Sequence, residues 1–78
     1  MKKISLLHLK SGKRVKIAEI NGGDNLRNRL MSMGIYVGRD ITKISHFGFK
    51  GPVPIRVGRT VVAIGHEMAK KILLEINE

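Results

Sequence analysis

From Arg14 to Ile17 polar and apolar residues alternate, and Ile20 extends the apolar set after a step at Ala18. Alternation at a period of two marks a strand with one buried face, and the step predicts a bulge near Ala18. Ahead of it, Ser5-Leu6-Leu7-His8-Leu9 is a short apolar opening stopped by Ser11-Gly12. Behind it, Asn21-Gly22-Gly23 carries strong turn chemistry. The period then changes. Leu26, Leu30 and Met33 fall on one face of a helix of about three turns, which the spacing predicts over Asp24–Met33. Asp24 is expected as its N-cap, and Gly34 as the left-handed residue that ends it.

Beyond the helix, Ile35-Tyr36-Val37-Gly38 reads as a tight turn with glycine where φ must be positive. Ile41 to Phe47 reads as a strand, although Ile41 and Ile44 are out of register for strict alternation. Phe47 to Pro54 holds two glycines and two prolines and reads as a loop. Ile55–Val57 and Thr60–Ile64 then form a hairpin around Gly58-Arg59, with Ile55–Val57 expected as an edge able to pair two copies. Gly65 is placed to cap a short second helix from about His66, with Met68 and Ile72 stacked on it, and Leu73–Ile76 closes the chain as a strand. These elements predict one domain over residues 1–78, mainly β with two short helices, folded as a small, partly open β-barrel.

The charge is large and uneven. Fifteen Lys and Arg face six Asp and Glu in 78 residues, a formal net charge of +9, and Lys10, Lys13, Arg14 and Lys16 crowd the first quarter. Such a field favours an anionic partner: nucleic acid, an anionic lipid surface or an acidic protein face. With no cysteine, disulfides, thiolate metal sites and a cysteine nucleophile are excluded. No apolar run approaches the roughly 20 residues of a membrane-spanning helix, and an intracellular soluble domain is expected.

The motifs do not point to catalysis. Ser11-Gly12-Lys13 resembles the end of a phosphate-binding loop, but Leu7 stands where that loop needs glycine and Arg14 where it needs Ser or Thr. His66-Glu67 opens like a zinc-binding helix, yet Lys70 occupies the position of the second histidine. The acidic residues show no pairing suited to general acid/base work. Met31 and Met33, lacking a nearby His or Cys, are expected to pack. Phe47-Gly48-Phe49 resembles a base-stacking motif, but the flanking residues and a total of three aromatics make a poor stacking platform. A small basic nucleic-acid-binding β-barrel is therefore the alternative reading, carried by charge, and a stand-alone metal sensor is a third.

Two blocks carry a resemblance. The first runs from Ser5-Leu6, Leu9-Lys10 and Gly12 through Gly22-Gly23 to Arg29-Leu30, Met33-Gly34-Ile35 and Gly38. The second runs from Gly51-Pro52, Ile55, Val57-Gly58 and Val61 to Ala63-Ile64, Glu67, Ala69 and Ile72. Together, from about Ser5 to Glu75, they resemble the FeoA family of small cytoplasmic accessory proteins of bacterial ferrous iron transport. Two departures stand out: Val37 where the family usually has proline, and Met33 where leucine is common. The resemblance implies an SH3-like barrel and a partner, the FeoB-type membrane iron transporter with its GTP-binding domain. It also implies transition-metal-linked activity, for which the sequence shows no ligand set; no cofactor is expected, and weak transition-metal binding stays open.

The expected function is thus a non-enzymatic cytoplasmic adaptor, peripheral to the inner face of the membrane when docked on the transporter. The candidate contacts are Arg27 on the helix, the loop residues Phe47, Phe49 and Lys50, and the hairpin arginines Arg56 and Arg59. Phe49 suits an apolar anchor, and Arg27 and the basic N-terminal stretch suit acidic protein or anionic inner-leaflet lipid. Arg56 or Arg59 is a candidate for an arginine reaching the transporter's GTP site.

Overall fold

The computed structural model describes residues 2–45 and 50–77. The chain forms β1 (Lys2–Ser5), β2 (Arg14–Ile20), α1 (Asp24–Met31), β3 (Asp40–Lys43), β4 (Val53–Val57), β5 (Thr60–Ile64), α2 (His66–Ala69) and β6 (Ile72–Ile76). The strands make one antiparallel sheet in the order β1-β6-β2-β3-β4-β5. Among the described residues β1 and β5 are its edges and do not pair with each other, so the sheet is not closed into a barrel. This is the predicted mainly β architecture with two short helices, in its open form.

The pairing of β2 shows how the sequence sets the core. Its partner residues on β6 shift between Ile17 and Glu19, which leaves Ala18 as the extra residue of a bulge at the predicted place. A bulge reverses the inward–outward phase of a strand. Val15 and Ile17 point inward before it, Ile20 points inward after it, and all three are buried. They join Leu6, Leu9, Leu30, Ile35, Ile41, Val53, Ile55, Val57, Ile64, Ala69, Ile72 and Leu74 in one cluster, with Leu26, Met33 and Met68 packed against it. Each fully buried Val, Leu or Ile of this cluster contributes roughly 1.5–3 kcal/mol by leaving water.

Glycines close the segment after α1. Gly34 has φ +83, its N–H bonds to Met31 O at 2.9 Å, and the Ile35 N–H bonds to Leu30 O at 2.9 Å. That pair of bonds is a Schellman closure, and it buries Ile35 beneath the helix end. Tyr36–Arg39 then makes a turn with Gly38 at φ +95, closed by Arg39 N–H to Tyr36 O at 3.1 Å. The Gly38 N–H reaches Ile17 O at 2.8 Å and the Ile17 N–H reaches Arg39 O at 2.9 Å, so the turn is pinned to β2 at the residue before the bulge. In the β4–β5 hairpin, Gly58 has φ +60 and Val57 pairs with Thr60, the two-residue turn that the sequence predicts.

Several expectations are corrected. The N-cap of α1 is Gly23, with no side-chain cap bond, while Asp24 sits in the first turn beside Arg27; the helix proper ends at Met31 rather than Met33. Residues 6–9 form a turn after β1, with Leu6 and Leu9 buried and Leu7 packed partly buried against the core. Val53 and Pro54 belong to β4, where Pro54 takes part in the sheet through its carbonyl alone, accepting from the Ile44 N–H at 3.0 Å. Ile55–Val57 is interior, between β3 and β5, and so is no edge. Helix α2 stops at Ala69, which places Ile72 in β6 instead of stacked on Met68. Met33 packs on the core as expected, but Met31 is 58% exposed.

One core position is charged. Lys43 follows Ile41 on the inward face of β3 and is 2% exposed. Its Nζ donates to the carbonyls of Leu6 at 3.0 Å, Leu7 at 3.1 Å and Leu9 at 2.8 Å. Three acceptors match the three donors of an ammonium, and the Lys43 carbonyl accepts from the Gly12 N–H. One residue thus ties down the whole turn between β1 and β2. Substitution Lys43→Met leaves those carbonyls without a donor and is expected to lower unfolding free energy by about 2–4 kcal/mol in urea titrations. Burial holds the Lys43 ammonium below its usual 10.5. The folded chain therefore releases this proton before the unfolded chain does, and the stability from this group rises with pH between the folded-state value and 10.5. The stability gap between wild type and Lys43→Met should widen across that alkaline range. At Gly38 a Cβ meets no atom within 4 Å, so Gly38→Ala reports backbone strain alone; a loss of about 1–2 kcal/mol in the same titration is expected.

Candidate partner-binding site

The C-terminal end of α1 and the Tyr36–Arg39 turn meet over the last residue of β2 and leave a groove of about 240 Å³, lined by Ile20, Arg27, Met31, Tyr36 and Val37. Each wall has a local cause. Ile20 is turned into the floor by the bulge, Arg27 and Met31 lie one helical turn apart, and the glycine-closed turn projects Tyr36 and Val37 outward. Met31, Val37 and Tyr36 are 58, 56 and 38% exposed, so three of the exposed large hydrophobic residues among those described gather at this one place.

Cations rim this surface. The Arg27 Nη1 lies 3.4 Å from Asp24 Oδ1, an exposed pair worth little in water that leaves the guanidinium available. Arg39 sits over the Tyr36 ring, 5.7 Å from its centroid, with Nη1 donating to the Tyr36 Oη at 3.2 Å. The other guanidinium nitrogen, Nη2, lies 2.8 Å from where a Cβ on Gly58 would stand. Arg39 therefore bridges the groove to the tip of the β4–β5 hairpin.

The candidates from the sequence are only partly brought together. Arg27 lines the groove. Arg56 is exposed on β4 and lines a separate depression with Arg14, Asp40, Ile41, Thr42 and Gly58. Arg59 is exposed in the hairpin turn and Lys50 is exposed ahead of β4. Phe47 and Phe49 lie outside the described residues. The N-terminal basic cluster is partly neutralised, since Arg14 and Lys16 share Asp40 at 3.4 and 3.9 Å and Lys3 meets Glu19 at 2.9 Å. Lys10 and Lys13 line a shallow hollow with Ile4, His8, Leu9 and Ile76. Among the described residues no three His, Asp or Glu side chains gather where they could hold a metal ion, and no helix is long and apolar enough to cross a membrane.

Met31, Tyr36, Val37 and Arg39 were not singled out as binding residues by the sequence. Tyr36 and Val37 carried a usable signal: two large apolar side chains in a turn held by glycines have little core to enter.

The comparisons with known proteins agree with the architecture. The FeoA domain family matches residues 4–76. A Methanocaldococcus jannaschii protein named Fe(2+) transport protein A is 36% identical over 70 residues, 90% of this chain and 83% of that one. The crystal structure of an iron uptake regulatory protein, FeoA, superposes with a TM-score of 0.84 at 29% identity, covering 96% of this chain and 97% of that one. A manganese-dependent transcriptional repressor shares the fold at 18% identity and a TM-score of 0.84, covering 96% of this chain but 37% of its own. Since the family match takes in nearly the whole chain and the fold agrees over the same span, this chain belongs to the FeoA family.

Proposed function

We propose that this chain is a non-enzymatic accessory protein of ferrous iron uptake that docks on the cytoplasmic part of a FeoB-type GTP-binding transporter and modulates it. Family membership and the names of its relatives support the iron uptake role. The observation that carries the docking reading is the Ile20–Arg27–Met31–Tyr36–Val37 groove, apolar within and rimmed by Arg27 and Arg39. Such a surface fits one chemistry: an apolar side chain of the partner inserted between Met31 and Val37, flanked by carboxylates that meet the two guanidinium groups. The chain acts in the cytoplasm, at the inner face of the membrane while docked. Arg56, Arg59 and Lys50 stand away from the groove, where they steer an acidic partner by charge. The role requires no cofactor.

The test is a titration against the cytoplasmic GTP-binding domain of the same organism's transporter at about 50 and about 300 mM salt. Saturable binding that survives the higher salt is expected. Met31→Asp places a charge in the groove at an exposed position at the end of α1, so it should lower stability by no more than about 1 kcal/mol while weakening binding by about tenfold or more. Arg27→Glu should weaken binding mainly at low salt, by slowing association. Binding that vanishes at the higher salt, or that ignores Met31→Asp, overturns the groove as the docking surface.

A further inference from the structure

The two edges of the sheet are built differently. Strand β1 begins with Lys2-Lys3, the kind of charge that keeps an edge from recruiting another strand. Strand β5, Thr-Val-Val-Ala-Ile, has no charge and no proline, and its register with β4 runs without a shift. Among the described residues β5 pairs only with β4.

The register shows which groups face outward. A two-residue turn at Gly58-Arg59 makes Val57 and Thr60 a hydrogen-bonded pair, and such pairs alternate along an antiparallel ladder. Thr60, Val62 and Ile64 therefore direct N–H and C=O toward β4, whereas Val61 and Ala63 direct theirs away from the sheet. Pro54 fits this assignment, since it stands opposite Ala63 and its carbonyl is turned to Ile44 on the other side. The side chains of Val61, 54% exposed, and Ala63 stand on the open face beside this edge.

The surrounding charge selects the partner. The stretch from Val53 to Ile64 contains Arg56 and Arg59 and no acidic residue, and neither arginine has an ion-pair partner among the described residues. Arg39 adds a third guanidinium beside Gly58. A second copy of the chain would bring a further +9 to this edge. We infer that the outer edge of β5 receives an extended acidic segment of a partner protein, which joins the sheet as a seventh strand. Its backbone pairs with Val61 and Ala63, its carboxylates stand on the outward face that carries Val61, Ala63 and Arg56, toward Arg56 and Arg59, and its small apolar side chains fall on the opposite face beside Val62 and Ile64. The inference goes beyond docking at the groove and does not depend on it.

The probe is a short synthetic peptide alternating valine or threonine with glutamate, compared with a version carrying lysine in place of glutamate. Amide NMR and hydrogen exchange of the full chain should show protection appearing at Val61 and Ala63 as the acidic peptide is added. The lysine version should bind at least about tenfold more weakly. Ala63→Pro removes an outward N–H that no bond within the sheet uses, and should weaken acidic-peptide binding by about tenfold or more. Should that variant fail to fold, Val61→Glu, which sets a like charge beside the segment's carboxylates at an exposed position, is expected to do the same. Absence of binding up to millimolar peptide, equal binding of both peptides, or protection confined to other strands overturns the proposal. Protection of Val61 and Ala63 that grows with protein concentration alone also overturns it, by assigning the edge to a second copy.

Discussion

The ammonium of Lys43, withdrawn from water and set among three carbonyl oxygens of residues 6–9, holds together parts of the chain that are far apart in sequence. The turn after β1 is too short to be a helix with its own ladder, so its carbonyls need donors from elsewhere. An apolar residue at position 43 could fill the space but supply none. Because Lys43 stands on β3, the turn becomes part of the sheet's interior, with Leu6 and Leu9 buried around it. The strand pairing of β1 with β6, the entry into β2 and the seating of β3 are thereby coupled in one polar contact.

Much of the architecture was legible because local chemistry and tertiary role coincide. The phase change at Ala18 is visible as apolar residues that stop alternating, and the structure turns it into a bulge. Gly34 and Gly58 have positive φ at the points where a helix must stop and a hairpin must turn. Lys43 was not legible, because a lysine is ordinarily a surface residue and only the path of residues 6–9 explains its burial. The edge position assigned to Ile55–Val57 failed for a related reason: strand order is fixed by long-range pairing, to which a hairpin's own residues are indifferent. Of the candidate site, Arg27 was legible from helical spacing. Met31 was taken for packing, since exposure at the end of a helix depends on whether another element covers it, and none among the described residues does.

The groove and the hairpin tip are not independent pieces of surface. Arg39 touches the Tyr36 ring on one side and approaches Gly58 on the other. Displacement of Tyr36 by a bound side chain would change what that guanidinium contacts, and the change would be felt at the start of β5. At residue 58 it is the positive φ of the turn that favours glycine, since the nearby Arg39 Nη2 is the far end of a flexible side chain that can move aside.

Lys2 pairs with Ile76, so both ends of the described chain leave the sheet side by side at the β1–β6 margin, the one farthest from β5. A polypeptide appended at either end emerges at that margin, with four strands between β1 and β5 and three between β6 and β5. The fold can therefore be spliced into a longer chain as a self-contained cassette without disturbing β5, which among the described residues pairs only with β4. Its recurrence as 37% of a transcriptional repressor fits such portability.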